Sequence, residues 1–190
     1  MNKVEIKRDG KTWTRNTARN FYSNWATENE VFDFLYGFTR MIKPEKVLEI
    51  GTFEGDTAIA IGKALKENEL GHLITLDTTD YGQEKNIAEL NLTNYITCIK
   101  EKPIEYIQNL IQEYDMIFID DGHTYADITR DLTNAHRLIK DKGFILGHDV
   151  LAIPDVNAGY TDFTNKYKDQ YHKIIINSAD GVFILKKIYA

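Results

Sequence analysis

Apolar positions along this chain change period repeatedly, and the changes mark strands alternating with helices. Val47-Leu48-Glu49-Ile50 is a short, mostly apolar run, the pattern of a strand covered on both faces. Ala58, Ile61 and Leu65 follow at helical spacing, and that helix is expected to stop near Gly71. Residues 72–77 read as a second strand, 83–92 as a short helix and 95–99 as a third strand. Pro103 opens a helix with Ile104, Ile107 and Ile111 behind it, since proline is pre-set for a first helical turn. Met116-Ile117-Phe118-Ile119-Asp120 is a nearly unbroken apolar run and reads as a central strand. Tyr125, Ile128, Leu132, Ala135 and Ile139 form a helical stripe, with Gly143 as its expected stop. Residues 144–149 are a fifth strand, and Val156, Phe163 and Tyr167 mark a helix. Residues 173–177 and 182–186 are two last strands joined through Ser178-Ala179-Asp180-Gly181.

Upstream of the first strand, Thr27-Glu28-Asn29-Glu30 reads as a capping box. Val31, Leu35, Phe38 and Ile42 continue it as a helix that Pro44 ends. Residues 4–14 read as a β-hairpin turning on Asp9-Gly10. The aromatic stretch Phe21-Tyr22-Ser23-Asn24-Trp25 has no clear period and suits either a packing segment or a loop over a site. Alternating strands and helices imply an α/β fold with a parallel sheet covered on both faces. The short link between the last two strands makes them antiparallel. The expected architecture is a doubly wound, mostly parallel seven-stranded sheet closed by an antiparallel hairpin. Residues 1–190 read as one domain, with 1–26 an N-terminal hairpin and cap segment and 27–190 the core.

Composition narrows the function. With 43% hydrophobic and 27% charged residues, a 190-residue chain can bury a substantial core. The net charge of −6 argues against nucleic acid as a partner, because polyanion binders show a basic face. Lys3, Lys7, Arg8, Lys11, Arg15 and Arg19 cluster at the N-terminus, which suits a solvated arm. No apolar run approaches the ~20 residues of a membrane helix, and the N-terminus lacks a secretory core. The single cysteine, Cys98, excludes an internal disulfide framework, so the expected location is cytoplasmic.

The turn after the first strand carries the first chemical signal. Val47-Leu48-Glu49-Ile50-Gly51-Thr52-Phe53-Glu54-Gly55-Asp56-Thr57 is strand, glycine turn and helix start, a layout that lets backbone approach a ligand. Phe53 and Asp56 stand where a dinucleotide fingerprint needs glycine, and no Gly-Lys-Ser/Thr follows for a P-loop. Further polar residues collect at strand ends: Asp77, Asp120 with Asp121, and His148 with Asp149, while His123 lies three residues beyond Asp120. Ligands of open α/β sheets bind at that carboxyl edge. Asp77, about 25 residues past the glycine turn, suits ribose hydroxyls or a turn-capping role. Asp120 and Asp149 would suit a hard divalent cation, Mg²⁺ more than Zn²⁺; for Asp121 helix capping competes equally. His123 and His148 are candidate general bases.

Taken together, the glycine turn, Leu76-Asp77, Phe118-Ile119-Asp120-Asp121-Gly122-His123-Thr124-Tyr125 and Gly143-Phe144-Ile145-Leu146-Gly147-His148-Asp149 resemble the class I S-adenosylmethionine-dependent methyltransferases. The resemblance is to their small-molecule O-methyltransferase branch, similar to the catechol and caffeoyl-CoA enzymes, and covers roughly residues 27–188. It implies S-adenosylmethionine as cofactor, with Gly51, Thr52 and Gly55 along its methionine portion, Glu49 near the amino group, Asp77 on the ribose and Asp120 beside it. It implies Asp120, His148 and Asp149 as a metal set for Mg²⁺ or another divalent cation. His123 would stand where catechol-type enzymes carry a base lysine. His148 departs from the family's usual carboxylate.

The expected function is methyl transfer from S-adenosylmethionine to a hydroxyl of a small molecule, assisted by His123, His148 and Asp120 or by a cation. Two alternatives remain: a hydroxylase-type or other nucleotide-dependent enzyme on the same fold, and a non-catalytic adenosyl-ligand-binding protein. Tyr160, Phe163 and Tyr167 suit either acceptor-pocket walls or core. The N-terminal hairpin would suit a homodimer arm.

Overall fold

Which residues form the sheet, and in what order, decides where a ligand can sit. The computed structural model describes residues 2–8, 11–17, 27–111 and 113–188. Strands β1 (Asn2–Arg8) and β2 (Lys11–Thr17) pair antiparallel, with Arg8 opposite Lys11, so the hairpin runs beyond the expected 4–14 at both ends. The aromatic segment 21–25 lies outside the described residues.

The core then runs α1 (Asn29–Ile42), β3 (Lys46–Ile50), α2 (Asp56–Asn68), β4 (His72–Asp77), α3 (Gln83–Glu89) and β5 (Ile96–Lys100). It continues with α4 (Pro103–Ile107), β6 (Tyr114–Ile119), α5 (Tyr125–Leu138), β7 (Ile139–Gly147), α6 (Pro154–Lys166), β8 (Tyr171–Ile176) and β9 (Val182–Lys187). The seven-stranded sheet has the order β5-β4-β3-β6-β7-β9-β8. Its first five strands are parallel, and β9 pairs antiparallel with both β7 and β8. This is the doubly wound, mostly parallel architecture the sequence implies.

Side-chain alternation along the central strands builds the two cores. Val47, Met116, Phe118 and Leu146 face α1, α2 and α3 in one apolar cluster. Leu48, Ile50, Ile117, Ile119 and Ile145 face α5 and α6 in the other. All nine are buried. At roughly 1.5–3 kcal/mol for each large buried aliphatic or aromatic side chain, these layers are the main stabilising term. Among the described residues, no helix is long and apolar enough to cross a membrane.

Three local expectations need correction, each because a tertiary contact overrides a local signal. The capping box is not made: α1 begins at Asn29, and its N-cap residue Glu28 makes no side-chain cap bond. The Thr27 hydroxyl instead donates to Asp120 Oδ2 at 3.3 Å, and the Glu28 carboxylate accepts from the Asp180 amide at 3.0 Å. Helix α4 ends at Ile107, not Ile111, whose side chain is 97% exposed. The Arg137 guanidinium donates to the Ile107 and Leu110 carbonyls, satisfying acceptors that a longer helix would have used. Gly143 is not a helix stop but lies inside β7. Helix α5 gives way at Ile139, which is extended, buried and paired with Tyr114.

Candidate functional site

Chain order reverses between β3 and β6, and the hydrogen-bond ladder continues one residue past the strand ends there. Gly51 N donates to Leu76 O, Asp120 N to Ile50 O and His148 N to Ile119 O, at 2.8–3.1 Å. The residues that follow β3, β6 and β7 therefore stand side by side at the carboxyl edge, the topological switch point where α/β sheets bind ligands. A cavity of about 530 Å³ opens there. Its lining includes Gly51, Thr52, Asp77, Asp120, His123 and Asp149.

The glycine turn is built for close approach. Gly51 and Gly55 have φ of +96° and +91°, where glycine carries no steric cost. A Cβ on Gly51 would meet Asp120 O at 2.1 Å, so this glycine also lets β3 and β6 end against each other. Asp77 holds the turn: its Oδ2 accepts from Thr52 N (3.2 Å) and Phe53 N (2.8 Å), and its Oδ1 from Thr79 N (2.9 Å). Phe53 itself is left-handed at φ +47° and packs on Tyr81 at 4.7 Å between centroids. Asp77 is thus a turn acceptor here, while also lining the cavity.

Glu49 does not line the cavity. It is fully buried behind Thr52 and Thr57, which do. The Thr75 hydroxyl donates to Glu49 Oε2 and also meets the Thr52 hydroxyl; among the described residues Glu49 Oε1 has no hydrogen-bond partner. Burial pushes the Glu49 carboxyl up to about 8, against the opposing pull of the Thr57 and Thr75 hydroxyls. The folded protein therefore keeps a proton that the unfolded chain releases above pH ~4.3. Folding stability is expected to fall as pH rises from about 4.5 to about 8, by on the order of 1 kcal/mol per pH unit at steepest. Glu49→Gln should flatten this slope and be more stable than the parent at pH 8. Urea denaturation across that range checks it, and an unchanged slope in the variant would refute it.

The second half of the site is a cluster of acids and imidazoles. His123 Nε2 stands 2.7 Å from Asp149 Oδ2 and 4.0 Å from Asp120 Oδ1. Asp120, His123 and Asp149 each offer a ligand atom within 4.8 Å of the others. His148, expected in that metal set, faces the same carboxylates with Nδ1, at 3.6 Å from Asp120 Oδ1 and 3.7 Å from Asp149 Oδ1. Its Nε2 lies 2.7 Å from Glu28 Oε2, and Glu28, His148 and Asp180 form a second group of converging donors. The contact with Asp149 raises the His123 imidazole above its ordinary range. For His148, burial pulls the ring down, but Asp120, Glu28 and Asp149 outweigh it and hold it well above that range. Asp149 takes left-handed backbone at φ +63°, a region aspartate tolerates better than most residues.

Of the two alternatives open for Tyr160 and Phe163, the structure shows core: both are buried beside Phe183 and Tyr171, and of residues 153–167 only Ile153 lines the cavity. Thr27, Glu28 and Asp180 belong to the site, although their sequence signals read as a helix cap and a hairpin turn. Asp121 and Asp127 both pair with Arg130, at 3.8 and 2.8 Å, and burial raises the Asp121 carboxyl.

A doubly wound sheet with a glycine turn, a β4-end acid and an acid–histidine cluster around one switch-point cavity defines a class of α/β proteins whose cavity opens at the carboxyl edge of the sheet. Residues 48–150 match the family described as methyltransferase domain, and the chain belongs to that family. It is 33% identical over 94 residues to a catechol O-methyltransferase of Niastella koreensis, covering 46% of this chain and 42% of the relative. It is 27% identical over 122 residues to the O-methyltransferase hkm8 of Aspergillus hancockii, covering 61% and 47%. The chain spans less than half the length of either curated relative. Its fold is similar to that of the O-methyltransferase TomG of Streptomyces achromogenes, solved with S-adenosylmethionine (TM-score 0.74; 18% identity; 87% and 83% of the two chains). It is also similar to a Bacillus cereus O-methyltransferase solved with S-adenosylhomocysteine (TM-score 0.72; 18% identity; 85% and 83%).

Proposed function

We propose that this protein transfers a methyl group from S-adenosylmethionine to a hydroxyl of a small molecule. One observation carries the reading: the glycine turn with Asp77, and the Asp120–His123–Asp149 cluster, line the same cavity. Donor and acceptor halves in one cavity are what in-line transfer requires. The cofactor's charge fits the residues present. The described lining carries Asp56, Asp77, Asp120, Asp121, Asp149 and Asp180 without a lysine or arginine, which complements a sulfonium and an ammonium group. When bound, the cofactor supplies an electrophilic methyl group.

The chain's own residues do the rest. Gly51 and Thr52 present backbone to the methionine portion from the cavity wall, Gly55 turns the chain behind them at φ +91°, Asp77 serves the ribose, and buried Glu49 stands behind the turn toward the amino group. His123, half-exposed at the cavity, is the better placed base. Its Nε2 is engaged by Asp149, so Nδ1 takes the acceptor proton and Asp149 stabilises the imidazolium that forms. His148 is buried against Glu28 and supports the cluster. The donors Asp120, Asp149 and His148 fit a divalent cation, which would lower the pKa of an acceptor hydroxyl. The net charge of −6 supports a small-molecule acceptor over a polyanion, and the lone cysteine supports a cytoplasmic setting.

Thermal denaturation with added ligand tests the cofactor assignment. S-adenosylmethionine and S-adenosylhomocysteine at about 100 times Kd should each stabilise the protein by about 2.7 kcal/mol, a rise of roughly 5–11 °C in Tm for a chain of this size. NAD should give no rise. Stabilisation by NAD alone, or by neither adenosyl ligand, would overturn the assignment.

A further inference from the structure

Resting on the reading that Asp120 and Asp149 take a cation, we infer that Glu28 makes this a nitrogen-bearing site. Glu28 holds the His148 ring so that Nδ1 becomes a ligand beside the two carboxylates, and the site thereby favours a borderline first-row ion over Mg²⁺.

Glu28 is held by a hydrogen bond at one oxygen and lies in ion-pair contact with His148 at the other. Its Oε1 accepts from the Asp180 amide at 3.0 Å, and its Oε2 stands 2.7 Å from His148 Nε2. The two side chains are only 13% and 6% exposed, so the ring has little freedom to turn. Its other nitrogen, Nδ1, faces Asp120 Oδ1 at 3.6 Å and Asp149 Oδ1 at 3.7 Å. These separations are too long for hydrogen bonds. They are close to the roughly 3–3.6 Å between neighbouring ligand atoms of an ion with bonds of ~2.0–2.2 Å. A ring nitrogen turned to a carboxylate while the other faces the ion is the outer-shell arrangement of metal-bound histidine. Thr27 supports Asp120 in the same way, donating to Oδ2 at 3.3 Å. Thr27 and Glu28 both lie outside the stretch matched to the family, residues 48–150. The chemical consequence follows from donor type. Carboxylates and water suit Mg²⁺ and Mn²⁺, whereas imidazole draws the preference toward later first-row ions such as Fe²⁺, Co²⁺ or Zn²⁺.

The test uses chelator-treated protein, titrated calorimetrically with Mg²⁺ and Co²⁺ in the absence of cofactor and acceptor. Co²⁺ should bind at least about tenfold more tightly than Mg²⁺. His148→Asp should reduce that ratio by about tenfold or more, and Glu28→Gln should weaken Co²⁺ binding by about 10- to 100-fold. Pulsed EPR of Mn²⁺-loaded His123→Ala, in which His148 is the imidazole left in the described cavity lining, should show ¹⁴N coupling. The inference is overturned by absent ¹⁴N coupling, by a Co²⁺-to-Mg²⁺ ratio unchanged in His148→Asp, or by Co²⁺ affinity unchanged in Glu28→Gln. S-adenosylhomocysteine affinity of the wild-type protein, measured alongside, separates the two levels. Cofactor binding without nitrogen ligation sinks this inference alone, and loss of cofactor binding sinks the methyltransferase reading.

Discussion

The double variant Asp120→Ala/Asp149→Ala is expected to lose methyl transfer by about 10³-fold or more, because it removes base orientation and cation binding together. Asp149 engages His123 Nε2 at 2.7 Å, and both carboxylates flank His148 Nδ1. Without them His123 has no partner to orient its ring or stabilise its protonated form. Turnover is read as formation of S-adenosylhomocysteine and of a product one methyl heavier in a metabolite extract. Asp149→Ala alone should bind S-adenosylhomocysteine as the parent does, since Asp149 belongs to the acceptor half. Activity retained in the double variant would refute the assignment of this cluster.

The second large effect is expected at Gly51. Gly51→Ala must place a Cβ 2.1 Å from the Asp120 carbonyl oxygen, at a φ of +96°. The obstacle is backbone at the end of β6, so relief requires the two strand ends to separate. Strain at a left-handed position and overpacking each cost about 1–3 kcal/mol, giving a loss of about 4 kcal/mol together. Cofactor affinity should fall as well, because Thr52 and Phe53 donate to Asp77 from the same turn. Urea denaturation and calorimetric titration with S-adenosylhomocysteine measure the two effects. A variant of parental stability and affinity would refute the role given to this glycine.

Much of this was legible because the central strands are apolar on both faces. Runs such as Met116 to Ile119 announce a covered strand, and the acids after them stand at its carboxyl end by simple chain direction. The glycine turn was legible through spacing alone. What sequence could not disclose were contacts between distant residues. Thr27 and Glu28 fit a capping pattern, yet meet residues 120, 148 and 180. Gly143 looked like a stop because the stripe before it is helical, but the pairing of Ile139 with Tyr114 decides the boundary. Tyr160 and Phe163 carry the same composition whether they line a pocket or fill a core; only packing against Phe183 and Tyr171 separates the cases.

The bond from the Asp180 amide to Glu28 spans 152 residues, and this sets an order of assembly during synthesis. A nascent chain extended through β4 already contains the whole glycine turn and Asp77. The opposite wall closes only when the turn between β8 and β9 leaves the ribosome and meets Glu28, made 152 residues earlier. A chain stalled before residue 180 carries every cofactor-turn residue but lacks the clasp that seats His148.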